Sequence, residues 1–157
     1  MKQPYLSTMI MLASEAHRFQ YTRDGKPYIL HPLAVMAFLP ADADEELKCI
    51  AVGHDLIEDT YVRINHLRFY GFTQRIIDGI VALTKVKGES YDTYKERVFA
   101  NEDAMRVKMC DLRHNMDITR LNKTFAELTE KDYDRICRYM TFYMQIEDRL
   151  KPLTKTR

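Results

Sequence analysis

Apolar side chains recur at three- and four-residue spacings along this chain, and little interrupts the rhythm. Leu47, Ile50, Ala51 and Ile57 mark one helical face; Met105, Met109, Leu112 and Met116 mark another; Tyr133, Ile136, Cys137, Met140, Tyr143 and Met144 mark a third, read as core packing. Only five glycines and five prolines punctuate the 157 residues, and strand-like alternation is scarce. The expectation is an all-α helical bundle. The spacing predicts helices near 4–20, 31–39, 44–58, 62–70, 73–84, 91–100, 102–117 and 130–151, with Ser90, Asn101 and Thr129 as N-caps of the last three. A chain of about 150 residues buries roughly 68–70% of its unfolded surface. No repeat or linker divides it, so residues 1–157 read as one domain.

Composition narrows the function classes. Lys and Arg total 24 against 23 Asp and Glu, a formal charge of +1, which argues against bulk nucleic-acid binding and leaves phosphate recognition to local charge. Cys49, Cys110 and Cys137 are odd in number and widely separated, with no Cys-x-x-Cys pair, which fits a reducing cytoplasm. Lys2 followed by Leu6 to Ala13 has the outline of a signal peptide, but Ser7, Ser14 and Glu15 break it, and the segment reads as an amphipathic first helix. The sequon Asn122-Lys123-Thr124 has no meaning without secretion. No apolar run approaches the roughly 18–20 residues that span a bilayer, so no membrane partner is expected.

Within the first of these helical patterns, His54, Asp55, Glu58 and Asp59 set four ionisable groups into six residues. His54 follows Ile50 by four and so turns inward, where a polar group needs a partner. On a continuous helix all four project over one broad surface, an arrangement that suits a metal ion and an activated water. Further ligands must come from elsewhere, and His31, before Pro32, and Asp111 are on offer. Lys108, Asp111 and Asn115 share a helical stripe that combines a cation, a carboxylate and an amide, a mixture suited to a phosphorylated substrate beside a metal. Two imidazoles and two carboxylates favour octahedral Mn²⁺ or Fe²⁺ over structural zinc.

The order His31, His54-Asp55, Asp111 resembles the HD phosphohydrolase superfamily, whose members hold a divalent metal with those four side chains. Surrounding phrases strengthen the likeness: Ala16-His17, Gln20, Gly25-Lys26-Pro27-Tyr28-Ile29, His31-Pro32, Glu58-Asp59-Thr60, Ala82-Leu83-Thr84 and Val107-Lys108. Together they resemble the (p)ppGpp hydrolase domain of the RelA/SpoT group and its small stand-alone relatives, over roughly residues 5 to 150. The resemblance implies an HD-domain helical bundle, Mn²⁺ at His31, His54, Asp55 and Asp111, and hydrolysis of the 3′-pyrophosphate of ppGpp or pppGpp by water. It implies Glu58 as the group that orients or deprotonates the water and Asp59 as the group that supports it or handles a proton, with the roles open to exchange. His17 is expected to be buried and hydrogen-bonded, His66 solvated or interhelical, and His114 a packing or supporting group.

The loop Thr22-Arg23-Asp24-Gly25-Lys26 corresponds to one that carries adjacent Arg and Lys in the long hydrolases. Here Thr22 stands for the Arg and Arg23 for the Lys, which keeps open another nucleotide such as NADPH or a 3′- or 5′-nucleotide. Arg23, Lys108 and Asn115 are the expected substrate contacts. The Lys85-Lys87-Gly88 loop reads as solvated, and Tyr91 and Tyr94 as packing. Walker-type, His-Glu-x-x-His and Gly-x-Ser-x-Gly signatures are absent, so water is the expected nucleophile. A chain of this length also leaves no room for a synthetase domain. The alternative class is a catalytically silent nucleotide-binding regulator.

Overall fold

The computed structural model describes residues 4–121 and 123–151; Lys2, the sequon's Asn122 and both ends of the expected domain lie outside them. Nine α-helices form among the described residues: α1 (Tyr5–Ala16), α2 (Leu30–Ala37), α3 (Glu45–Gly53), α4 (Leu56–Asp59), α5 (Ile64–Phe69), α6 (Gln74–Leu83), α7 (Tyr91–Phe99), α8 (Glu102–Asn115) and α9 (Glu130–Leu150). Two 3₁₀ turns, Ile118–Leu121 and Phe125–Glu127, bridge α8 to α9. The only extended pairing among these residues is a single bridge between Tyr21 and Pro27, so the all-α expectation holds.

Helix starts follow local chemistry. Asp44, Thr73, Ser90, Asn101 and Thr129 each accept a hydrogen bond from the main-chain N–H three residues on, satisfying a donor that the first turn leaves free. The three caps expected from sequence are among them. α3 is the central element, packed by α1, α2, α6 and α8. Cys49, Ile50, Ala51 and Val52 are fully buried, as a helix surrounded on every side requires. A Cβ on Gly79 would fall 2.5 Å from Ile50 Cδ1, and one on Gly53 would fall 2.7 Å from Ile80 Cδ1. These two glycines let α3 and α6 lie against each other and bring the end of α3 to the cleft.

Three expectations need correction. The helix drawn over 44–58 is two helices, broken where Asp55 takes φ −101° and ψ −1°. On an unbroken helix adjacent side chains diverge by about 100°, so His54 and Asp55 could not serve one centre, and the break removes that conflict. The first helix stops at Ala16 rather than continuing to residue 20. On α9, Tyr133, Cys137, Met140 and Met144 are exposed, while Phe142 and Ile146 are buried and Ile136, Tyr139 and Tyr143 half-buried. The stripe that packs is therefore rotated from the one the spacing favours.

Candidate functional site

One cleft of about 330 Å³ collects most of the residues singled out above. His31 arrives from the first turn of α2, His54 and Asp55 from the break between α3 and α4, and Asp111 from α8. His31, His54 and Asp111 are at most 4% exposed, so their polar atoms need partners inside the protein. Atoms of these three suited to hold a metal ion all lie within 4.8 Å of one another. Asp55 Oδ2 joins them, 2.9 Å from His54 Nε2 and 3.6 Å from His31 Nε2. Asp111 Oδ1 lies 3.1 Å from His31 Nε2.

Neighbours fix how these side chains are presented. Ala51 O can only accept, so at 2.7 Å it takes the hydrogen of His54 Nδ1 and leaves Nε2 for the cluster. That Nε2 is buried without a directed hydrogen-bond partner, despite the nearby Asp55 oxygen. His31 Nδ1 shares a hydrogen with His114 Nδ1 at 2.7 Å, the rings stacked at 4.9 Å, which gives His114 the supporting place expected of it. Burial, then Arg120 and His31, push the His114 pKa down to about 4. Tyr28 donates to Asp55 Oδ2 at 2.5 Å; Lys108 Nζ and Asn115 Nδ2 reach Asp111 at 2.8 and 2.5 Å.

Electrostatics make the cluster a cation trap. Burial opposes charge on Asp111, but Lys108 and the two imidazoles outweigh it and hold the carboxyl well below its usual range. Burial likewise opposes charge on His54, and Asp55 with Asp111 outweighs it, drawing a proton onto the ring. A divalent cation satisfies the same field with no proton, and the mixed nitrogen and oxygen donors with an orphaned imidazole nitrogen fit one.

Glu58 and Asp59 stand at the cleft edge on α4, whose single turn follows the break. Glu58 accepts from Lys85 N at 2.9 Å and faces Lys85 Nζ at 3.5 Å. Burial, with Asp55 and Glu58, raises the Asp59 pKa.

No protein-family model matches the chain. It is 32% identical over 117 residues to a guanosine-3′,5′-bis(diphosphate) 3′-pyrophosphohydrolase of Haemophilus influenzae, a match covering 68% of this chain and 17% of that one. It is 36% identical over 122 residues to a GTP pyrophosphokinase of Streptomyces coelicolor, covering 71% and 14%, and 30% identical over 127 residues to the bifunctional (p)ppGpp synthase/hydrolase SpoT of Escherichia coli, covering 74% and 17%. The chain thus spans less than a fifth of the length of these relatives. Its fold matches a solved metazoan SpoT ortholog, described as hydrolysing ppGpp, with a TM-score of 0.73 at 20% identity over 96% of this chain and 88% of that one. This chain is an HD domain of RelA/SpoT-like type.

In this HD domain Thr22 serves the loop. Its hydroxyl donates to Asp24 Oδ1 at 2.5 Å and accepts from Lys26 N at 3.2 Å, closing a turn in which Gly25 takes φ +76°. Arg23 lines the cleft, and its guanidinium has no partner among the described residues. Lys85, Tyr91 and Tyr94 also line the cleft; Tyr94 is buried as expected, Tyr91 is exposed rather than packed away, and Lys85 stays exposed, as a solvated loop requires, while facing Glu58.

The lining of the HD domain's cleft also includes groups that sequence reasoning missed: Arg120, Arg135 and Tyr139. Arg120 donates to His114 O at 3.0 Å, and Arg135 to Asp132 Oδ1 at 2.7 Å. Asp132 is buried and also accepts from Lys123 Nζ at 2.8 Å and Thr129 N at 3.1 Å. Thr129, Asp132, Arg135 and Tyr139 recur at three- and four-residue spacings, a signal that a search for polar as well as apolar stripes would have found. His66 is exposed and accepts from Arg63 N, capping α5.

Proposed function

We propose that the protein is a metal-dependent nucleotide phosphohydrolase that removes pyrophosphate from the 3′ position of ppGpp or pppGpp, leaving GDP or GTP. The observation that carries this reading is the convergence of His31, His54, Asp55 and Asp111 beside Glu58, Asp59 and Lys108 in one cleft. The names and descriptions of the relatives supply the substrate class.

The four converging side chains are the proposed holders of the cation, with Mn²⁺ the choice that their nitrogen and oxygen donors favour and Fe²⁺ the next. The cation, when bound, would supply charge that acidifies a water and offsets the negative charge on the phosphoryl oxygens. Glu58, steered by Lys85, orients that water and takes its proton. Asp59 keeps a proton to higher pH than an ordinary carboxyl, which suits it to protonate the departing 3′ oxygen. Lys108 stays charged because Asp111 outweighs the effect of burial, placing a fixed cation beside the phosphate. Asn115 holds the Asp111 carboxylate. Arg23, Arg120 and Arg135, which all line the cleft, offer guanidinium groups to the remaining phosphates.

A second reading keeps the chemistry and changes the nucleotide. Thr22 favours it, because the residue standing where long hydrolases carry Arg is committed to its own turn. The deciding experiment measures pyrophosphate and phosphate release from ppGpp, pppGpp, NADPH and common nucleotides by Mn²⁺-loaded protein. Pyrophosphate and GDP from ppGpp, lost in Asp55→Ala, is the expected result. Release only from another nucleotide overturns the substrate, and nucleotide binding with no release from any of them overturns the enzyme in favour of a silent regulator.

A further inference from the structure

The phrase His17 to Gln20 has no part in the chemistry above, although His17 is 2% exposed and lies outside the cleft lining. Its hydrogen bonds have one solution. The Asp59 main-chain carbonyl can only accept, so Gln20 must turn Nε2 toward it, at 2.7 Å. That leaves Oε1 facing His17 Nδ1, also at 2.7 Å, and Oε1 can only accept, so the hydrogen sits on Nδ1. One carbonyl thereby fixes the amide and the imidazole tautomer.

A second arm leaves from the same place. Tyr28 N donates to Gln20 O at 2.9 Å, the Tyr28 ring lies 4.8 Å from that of His17, and its hydroxyl donates to Asp55 Oδ2. The two arms end on Asp59 and Asp55, at either end of α4. A helix of four residues is one turn, too short to be stable alone. Its placement therefore depends on ties from outside.

We propose that His17 and Gln20 are positioning residues, a brace that holds the Asp59 carbonyl and with it sets Glu58 and Asp59 against the cleft. This rests on the reading of those two carboxylates given above.

The test uses the full chain loaded with Mn²⁺, as His17→Leu, Gln20→Met, the double variant and His17→Asn, whose amide nitrogen can stand near the place of Nδ1. Each of the first two is expected to lower kcat about thirtyfold, since small misplacements near reacting atoms are costly, with KM and bound manganese unchanged. The double variant should fall no further, because either cut severs the same link. His17→Asn should recover most of kcat. Single effects that multiply, an unchanged kcat, or manganese lost in step with activity overturn the proposal. Gln20 is half-buried, so Gln20→Met keeps the test running if His17→Leu does not fold. Nitrogen-15 NMR of His17 needs no turnover: hydrogen on Nδ1 in the parent, released in Gln20→Met, is expected, and hydrogen on Nε2 overturns the brace. If no nucleotide is hydrolysed, the activity reading fails while the NMR result still decides the brace.

Discussion

The two ends of the cleft are built differently. At the inner end His31, His54 and Asp111 are buried, and each of the cluster's four side chains is held by a named neighbour: His114, Ala51, Tyr28, or Lys108 with Asn115. At the outer end, among the described residues, Arg23 has no partner, and Arg120 and Arg135 each keep donors free beyond one protein contact. On the proposed function, groups that must hold a fixed geometry are locked before anything binds, whereas those proposed to meet a nucleotide's phosphates keep their freedom. Chemistry here is preorganised and recognition adjustable, and substitutions at the two ends should fail in different ways.

The largest expected effect is at the inner end. Asp111→Ala should lower activity more than about a thousandfold, with manganese lost, as measured by turnover and metal analysis. It also leaves Lys108 buried without its partner, and breaking such a pair costs about 3–5 kcal/mol, readable in urea melts. If activity survives, the inner cluster is not the reacting centre. Glu58→Gln should come next, with kcat down about a hundredfold or more and manganese retained. Loss of metal instead would move Glu58 into the ligand set.

At the outer end, Asp132→Ala should free Arg135 and remove the side-chain half of the α9 capping box together, raising KM about tenfold while kcat holds. This site also carries a pH signature. Lys123, then Thr129 and Arg135, hold the Asp132 carboxyl below its ordinary range. A carboxyl depressed in the folded state adds stability above its unfolded pKa, near 4, and loses it as pH falls below that value. Thermal melts of parent and Asp132→Asn should therefore differ at neutral pH and converge in acid; parallel curves would remove the anchor. The smallest effect is Arg23→Ala, a rise in KM of a few-fold with kcat and melting temperature unchanged. A fall in kcat would place Arg23 at the inner end.

Much of this difference can be read in the sequence, and the exceptions have physical causes. Cap residues and apolar spacing act locally, so helices starting after Ser90, Asn101 and Thr129 were visible. The break at Asp55 was not, because Ile50 and Ile57 keep helical phase across it and only tertiary demand on adjacent side chains rewards a kink. On α9 two apolar stripes overlap, one through Tyr133, Cys137, Met140 and Met144 and one through Tyr139, Phe142 and Ile146. Spacing alone cannot choose between them, and the wrong choice hid Arg135. The inner residues stood out because ionisable groups among apolar ones are conspicuous. The outer ones are ordinary surface arginines until folding brings them together.

The single turn α4 has a thermal consequence. Its ties come from Gln20, Lys85 and Thr60, with Tyr28 on Asp55 at its start, and its fully buried packing from one side chain, Leu56, while α3 is enclosed by four helices. Elements held by few contacts open at lower free energy than the core. On warming, the turn that carries both carboxylates should come loose while the bundle, and on the proposed reading a cation bound within it, remain in place. Such a protein would lose turnover over a range of temperature in which its circular dichroism still reports a folded chain.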